Sequence, residues 1–335
     1  MVLIPTRTRR FIVLVATLVV AATGVQTAQA APVQGAAACH WRQTHLPMPP
    51  GIDFAYVGGS AGTEWIVANG SAYPDPDFGI IWHDERPRIM LRFRNGGQNR
   101  PRDINSNGTV TGVRLDPSGK PEPYVYKTFY RWLPKPATGD TYATWLNDRG
   151  DIAGFVEVGD ATKIVYWRAG GTGYEILGDG FPIGIDGTGR VVSGTGEIYH
   201  ADGTRGRLQV PAGLTGIAAG QFNEGMTAGY GTGANEERVA VVWDAVGNVV
   251  STIPHATARA ANPGGLVIGI AGKDTGSTAE VWRNGVHEVT LAGTRPQFTT
   301  DPQPFGMNAD VTADGAIVAT PMGLPRPSYW RCVPY

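Results

Sequence analysis

The chain between residues 39 and 335 consists of short apolar runs separated by turns rich in Gly, Asn and Asp. Residues 145–171 show the pattern: a turn that ends at Gly150, an apolar run that ends at Gly154, a polar loop, and a second run that ends at Trp167. Such turns are typical of β-hairpins, because Asn and Asp bond their own backbone and Gly accepts a positive φ. The pattern therefore predicts an all-β chain.

The same unit recurs along the chain at intervals of 36 to 51 residues. Its turns are centred on Gly62, Gly108, Gly150, Gly189, Gly225, Gly264 and Gly315. A later strand of most units ends in Trp, at positions 82, 132, 167, 243, 282 and 330, and His200 takes that position in the fourth unit. Units of this length cannot bury both faces alone, so they must pack on one another. We predict one seven-bladed β-propeller, with six or eight blades as the alternatives.

The two ends of the repeat array complement each other. His40-Trp41-Arg42 copies the Trp and outer strand of a unit that lacks its earlier strands, and the segment that ends at Trp330 stops where an outer strand should follow. Pairing the two segments would complete the seventh blade and remove exposed sheet edges. The only two cysteines, Cys39 and Cys332, flank these segments, so we predict a disulfide between them.

Residues 1–30 have the features of a secretory signal peptide: three arginines, an apolar run over 11–22, and Ala28-Gln29-Ala30 as a cleavage site. We predict cleavage, a flexible segment over 31–38, a propeller domain over 39–335 and an extracellular destination, with the export route left open. A membrane anchor is the first alternative, but the apolar run is shorter than the about 20 residues that a spanning helix needs. A lipoprotein acylated at Cys39 is the second, and that position lacks the expected preceding Leu.

Composition agrees with this picture. The chain of 335 residues has 47 Gly and 25 Pro, and only 17% of its residues are charged, which favours short strands joined by tight turns. Loss of residues 1–30 removes three Arg and no acid, which changes the formal charge from −1 to −4. A weakly acidic chain indicates neither nucleic acid nor an anionic membrane as a partner.

The repeats resemble those of a known family. Units built as Ile-Asn-x-x-Gly-x-Val-x-Gly, then a loop and an apolar strand ending in Trp, resemble the extracellular HAF-repeat proteins, named for a His-Ala-Phe triplet before that Trp. The motif is clear at residues 104–112 and 146–154, and the resemblance covers most of residues 39–332. The triplet itself is reduced to its Ala, as in Val239-Ala240-Val241. The resemblance implies a secreted propeller-like array and no catalytic residue.

Motifs that carry chemistry are weak in this sequence. Ser60 lies in a Gly-x-Ser-x-Gly match, but a strand pattern follows it where a hydrolase needs a helix. The Asp-Thr-Gly at 274–276 has no second copy, and the six His show no metal-binding spacing. Asp75 and Asp77 supply too few oxygens for Ca²⁺. The turn residues could ring a ligand, but their role in the turns already explains them: Asn105, Asn147, Asp186, Asn223, Asn262 and Asp314. We predict no metal, no cofactor and no catalytic residue.

Aromatic side chains outside the repeat pattern are the candidates for binding. The insertion 113–131 is the most aromatic long segment, and Trp65 and Trp145 also lie outside the repeated Trp position. Exposed aromatic residues stack on sugars or anchor protein partners, although core packing explains them equally well. The candidate binding residues are Tyr124, Tyr126, Phe129, Tyr130, Trp65 and Trp145. We predict a secreted, monomeric, non-catalytic module that binds a glycan or a protein; the alternative is a hydrolase or lyase with its site at the central channel.

Overall fold

The computed structural model describes residues 39–72, 77–93, 96–272, 278–291, 309–321 and 326–334. In these ranges the chain forms seven antiparallel sheets of four strands each and no helix. The innermost strands of neighbouring sheets contact one another in cyclic order, so the sheets are the blades of a closed ring. The chain is a seven-bladed β-propeller, as the repeat length predicts.

Blades 1 to 6 each use four strands that follow one another in sequence, the first lying innermost and the fourth outermost. The strands of blades 1 to 3 are β2 (Phe54–Ala61), β3 (Trp65–Ser71), β4 (Phe78–His83), β5 (Arg86–Ile89), β6 (Gln98–Ile104), β7 (Val110–Leu115), β8 (Pro121–Tyr126), β9 (Tyr130–Trp132), β10 (Asp140–Leu146), β11 (Ile152–Val158), β12 (Ala161–Trp167) and β13 (Glu175–Asp179). The strands of blades 4 to 6 are β14 (Pro182–Ile185), β15 (Val191–Ser193), β16 (Glu197–Tyr199), β17 (Arg205–Arg207), β18 (Gly216–Asn223), β19 (Met226–Thr232), β20 (Arg238–Trp243), β21 (Val249–Pro254), β22 (Ala256–Ala261), β23 (Leu266–Ala271), β24 (Ala279–Arg283) and β25 (Val286–Leu291).

Blade 7 is shared between the two ends of the chain. Its inner strands are β26 (Asp310–Val311), β27 (Ile317–Ala319) and β28 (Ser328–Pro334), and the N-terminal β1 (Cys39–His45) forms its outer edge. Strands β1 and β28 pair antiparallel, with Cys39 opposite Pro334 and Trp41 opposite Cys332. The shared blade is consistent with the predicted closure. In this register Cys332 lies opposite Trp41, two residues along β1 from Cys39. The disulfide between the two cysteines stays a prediction.

The Gly turns that join the first and second strand of each blade follow the predicted chemistry. All seven contain a Gly with positive φ, and in the sixth it is Gly265 rather than Gly264. The turn side chains also link neighbouring blades: Asn105 Nδ2 donates to the Asn147 carbonyl (3.0 Å), and Asn147 Nδ2 donates to the Asp186 carbonyl (2.8 Å). These side chains are committed to turns and blade contacts, as expected from their local role.

A buried aromatic residue near the end of the third strand packs each blade against the preceding one. In three blades the indole N–H donates to a carbonyl two residues beyond the outermost strand of the preceding blade: Trp82 to Pro47 (2.7 Å), Trp167 to Pro134 (2.6 Å) and Trp243 to Gln209 (2.7 Å). Each of these bonds satisfies a polar group at a dry contact.

The sequence-based assignment of this position was wrong in two blades. In blade 2 the residue in register with the others is Tyr126, opposite Val110, and Trp132 lies instead on the outermost strand β9. In blade 4 the position holds Tyr199, opposite Val191, and His200 follows the strand. An error of one residue moves a side chain to the other face of a strand, so His200 has a different environment from the one predicted.

The innermost strands share an irregularity that shapes the axis. Blades 1 to 6 each carry a β-bulge at the same position, where the strand register skips one residue: Gly58, Arg102, Thr144, Ile183, Gly220 and Arg259. Bulges redirect side chains and often lie beside functional sites. The bulges therefore bring two arginines and a threonine to one layer around the axis.

Several features of the sequence lie outside the described residues. They include residues 1–38, Asp75, the Asp-Thr-Gly segment at 274–276 and the Pro-rich segment 294–306. Within the described ranges, no helix is long and apolar enough to cross a membrane.

Candidate functional site

The six predicted binding residues have different environments. Tyr124 is fully buried and Tyr126 is 4% exposed, so both are core residues and neither can offer an exposed face to a ligand. Burial also raises the pKa of the Tyr124 phenol well above its usual range. Phe129, in contrast, is 74% exposed, and Tyr130 is half-buried. Core packing, the alternative stated for these residues, therefore describes Tyr124 and Tyr126 on β8, whereas Phe129 and Tyr130 reach the surface, and binding by them stays a prediction.

Trp65 and Trp145 are half-buried, and the side chain of each contacts other residues of the protein. The Trp65 ring stacks on His83 at 3.9 Å, with 10° between the planes. The Trp145 indole N–H donates to the Pro182 carbonyl in the next blade at 2.9 Å. Both residues stabilise the fold in this structure, and the structure does not bring them to the exposed aromatic residues of blade 2.

A partly exposed aromatic cluster lies at the outer edge of blade 2, and we call it the blade 2 aromatic surface: Phe93, Tyr130 and Trp132, with the guanidinium of Arg114 packed on it. Trp132 is 46% exposed. The Tyr130 and Trp132 rings are nearly parallel, at 9° with centroids 6.1 Å apart, and the Phe93 ring is 5.8 Å from that of Trp132. The cluster is a contiguous, partly solvent-exposed group of rings.

Contacts from beneath hold this surface in place. The Tyr124 hydroxyl donates to Asn99 Oδ1 (2.6 Å), Asn99 Nδ2 donates to the Tyr130 hydroxyl (2.7 Å), and that hydroxyl donates to the Leu91 carbonyl (2.7 Å). The Arg114 guanidinium lies 4.8 Å from the Phe93 ring centroid, within cation–π range. Little side-chain entropy remains to be lost on binding, because the rings are already ordered.

Glu64, His83 and Asp84 are the His and carboxylate groups that could hold a metal ion in the described part of the chain. Their ligand atoms lie within 4.8 Å of one another, and all three residues are exposed. The His83 Nε2 atom is 3.3 Å from Glu64 Oε1. The contact is an ordinary surface ion pair when the imidazole is protonated, and such pairs are common without a metal.

Two carboxylates lie at the axis, at equivalent positions in blades 2 and 7. Asp310 accepts hydrogen bonds from Ser60 Oγ (2.8 Å) in blade 1, and from Gln221 Nε2 (3.2 Å) and Asn223 Nδ2 (2.9 Å) in blade 5. Asp103 accepts from the backbone N–H of Leu146 in blade 3 at 2.8 Å. Both carboxylates therefore join different blades across the ring. Ser60 takes part in this network and precedes a turn and a strand, so it is not on a nucleophile elbow.

Burial dominates the protonation of these groups. It raises the pKa of Asp103 well above its usual range, and the negative charge of Asp310 raises it further. Burial likewise raises the pKa of Asp310, although its hydrogen bonds from Ser60 and Asn223 oppose the rise. Burial with nearby charges also raises the pKa of Glu224. Clusters of perturbed carboxyl groups occur at active sites and in structural networks alike.

Arginines occupy the bulge position in blades 2 and 6: Arg102 directly precedes Asp103, and Arg259 directly precedes Ala260. Arg102 is 8% exposed, and its pKa is lowered to about 10 by burial and by the positive charge of Arg100. Burial also lowers the pKa of Arg259. Sequence reasoning missed the axial groups because a bulge cannot be seen without the strand register.

Comparisons with known proteins support the fold alone. No family model matches the chain, and no curated protein matches it significantly. Among solved structures, it is similar to oligogalacturonate lyase from Vibrio parahaemolyticus, with a TM-score of 0.58 and 10% identity over 87% of this chain and 96% of that one. A streptogramin B lyase gives 0.54 and 12% identity over 87% and 98%. The propeller domain of the Trilobed protease from Pyrococcus furiosus gives 0.55 and 11% identity over 83% and 94%.

Proposed function

We propose that this protein is a secreted, non-catalytic propeller that binds a glycan through the blade 2 aromatic surface. The proposal depends on one observation: Trp132, Tyr130 and Phe93 present a pre-ordered, partly exposed ring cluster that the repeat does not require. The apolar C–H faces of a sugar ring pack on such surfaces, and Tyr and Trp supply large contact area at low entropy cost. Arg114 packs on the Phe93 ring and is paired with Glu122 at 3.1 Å, which helps to fix the cluster.

The proposal includes the context predicted from the sequence. The signal peptide over residues 1–30 would direct the chain out of the cell, the HAF-repeat resemblance points to the same destination, and the chain would act as a monomer. In that oxidising environment Cys39 and Cys332 would form the disulfide that fastens β1 to β28, which their positions on paired strands favour.

A glycan array followed by calorimetry on any hit tests this function. We expect Trp132→Ala to weaken binding at least about tenfold, or 1.4 kcal/mol. The matched control is Val250→Ala, which removes an apolar side chain that is 57% exposed on the outermost strand of blade 5. The proposal would be contradicted if the wild type and the Trp132 variant bound a glycan equally well. It would also be contradicted if the protein bound a protein ligand and no glycan.

The second candidate is a hydrolase or lyase with its site at the axis. It is favoured by Asp103 and Asp310, two carboxyl groups of raised pKa at the axis. It is opposed by the hydrogen bonds that occupy Asp310. One of the similar propellers is an oligogalacturonate lyase, so oligogalacturonate is a first substrate to test. Formation of an unsaturated product by the wild type, and none by Asp103→Asn, would support an enzyme over the binding function.

A further inference from the structure

The junction between blades 3 and 4 departs from the packing seen elsewhere in the ring. Tyr199 replaces the Trp that most blades use at the end of the third strand. In several blades the residue that directly follows the outermost strand is a buried Leu or Met, namely Leu46, Met90 and Leu208. After blade 3 this residue is Gly180. Two large side chains are thus missing from one junction, and such a loss leaves space in a structure that otherwise packs closely.

A cavity of about 230 Å³ lies at this junction. Tyr166, Arg168 and Glu175 line it from blade 3, and Tyr199, His200 and Asp202 line it from blade 4. Its volume is below the about 300 to 1,000 Å³ of pockets for drug-sized ligands. The cavity therefore fits a ligand of about one ring.

The walls of the cavity are fixed by contacts of their own. Arg168 Nε donates to Glu175 Oε1 at 2.7 Å, and Arg168 also donates to the Ala201 carbonyl at 3.3 Å across the junction. Gly178 allows the Tyr199 hydroxyl to approach, because a Cβ there would lie 2.3 Å from that oxygen. The polar groups are held in place before a ligand arrives.

The chemistry of the lining suits a neutral, polyhydroxylated ligand. Burial raises the pKa of Tyr166 to about 12 and also raises that of Tyr199, so both phenols remain neutral. The Tyr166 hydroxyl is hydrogen-bonded to Asp151, so Tyr199 is the phenol that can donate to a ligand. Glu175 and Asp202 offer carboxylate oxygens as acceptors, and the single guanidinium of Arg168 is already paired with Glu175. An anionic ligand would face two carboxylates at short range, which disfavours it.

We propose that this cavity, which we call the junction pocket, binds a single neutral hexose unit. The proposal goes beyond the aromatic surface of blade 2 and stands on different residues. Donors from Tyr199 and Arg168 and acceptors from Glu175 and Asp202 surround one ring-sized space, and the Tyr166 ring forms part of its wall. Hydroxyl groups of a hexose both donate and accept, so they can match such a mixed lining.

The test uses the full chain and four probes: glucose, galactose, mannose and N-acetylglucosamine, each measured by saturation-transfer NMR and by titration of protein chemical shifts. Tyr199→Trp restores the residue used by other blades and should fill the pocket without a loss of thermal stability. We expect at least one probe to bind the wild type and to lose tenfold or more in affinity in this variant. Ala201→Leu, at an exposed turn residue that lines the pocket, should have the same effect without touching the core.

Trp132→Ala separates this proposal from the proposed function. Binding that survives Trp132→Ala and is lost in both pocket variants supports the junction pocket even if blade 2 binds no glycan. Binding that is lost in Trp132→Ala and survives both pocket variants overturns the junction pocket and leaves the blade 2 function intact. Failure of all four sugars to bind the wild type also overturns it.

Discussion

Replacing Trp167 and Trp132 by Ala tests whether the blades are held together as described. The sequence assigns the two residues to the same repeat position, whereas the structure separates them. Trp167 is 2% exposed and its indole N–H donates to the Pro134 carbonyl of the preceding link at 2.6 Å. Trp132 is 46% exposed on the outermost strand of its blade.

The expected costs follow from these environments. Truncation of a buried Trp to Ala removes about 3–5 kcal/mol of stability. The carbonyl of Pro134 would lose its partner, which adds part of the about 1–3 kcal/mol cost of an unsatisfied buried group. For Trp132 the loss is the ring contacts with Tyr130 and Phe93, worth about 0.5–1.5 kcal/mol. We therefore expect Trp167→Ala to cost about 3 kcal/mol more than Trp132→Ala.

Equilibrium unfolding in urea, followed by far-ultraviolet circular dichroism, measures this difference. With an m-value of about 3 kcal/mol/M, the Trp167 variant should unfold at a midpoint about 1 M below that of the Trp132 variant. Both variants should keep the m-value of the wild type. Equal midpoints would refute the register derived for blade 2 and the role of the indole at the blade contacts.

Three further perturbations test the axis, the blade contacts and the closure. Asp103 and Asp310 have pKa values raised in the folded state, so their contribution to stability is fully present below about pH 4 and is lost as the pH rises through the raised values; the melting temperature at pH 5 should exceed that at pH 8, and Asp103→Asn should flatten this dependence. Gly184→Ala should cost about 1–3 kcal/mol or more, because a Cβ would lie 1.8 Å from the Phe222 carbonyl oxygen, whereas Gly187→Ala, which meets nothing within 4 Å, should be nearly neutral in chemical denaturation. Reduction of the predicted disulfide should lower the melting temperature by several degrees, and a Cys332→Ser variant should be insensitive to reductant.

Much of the fold could be predicted because its determinants are local. Gly150 and its counterparts need a positive φ at each turn, and that requirement is visible in the sequence around every turn. The Trp of most blades could be found for a similar reason, since an apolar strand ends there. Blade 2 misled the assignment because two successive strands both end in aromatic residues, Tyr126 and Trp132, and only packing decides which one faces the neighbouring blade.

The sites could not be predicted because they depend on contacts between distant residues. Asp310 meets Asn223 from two blades away, and no spacing in the sequence indicates that contact. The junction pocket is lined by residues of both blade 3 and blade 4, such as Arg168 and Tyr199, so it exists only once the two blades are packed together. The sequence located the aromatic candidates in residues 113–131. Which of them reach the surface depends on the strand positions: Phe129 and Tyr130 do, and Tyr124 does not.

The central claim is that the ring is closed by pairing of β1 with β28. Hydrogen–deuterium exchange followed by mass spectrometry measures that pairing directly in the peptide covering residues 39–45. We predict clear protection of this peptide relative to an unstructured chain, because β1 pairs with β28 along its full length, with somewhat more protection for residues 328–334, part of which also pairs with β27. Exchange of residues 39–45 at the rate of an unstructured chain, with the other blades still protected, would contradict it.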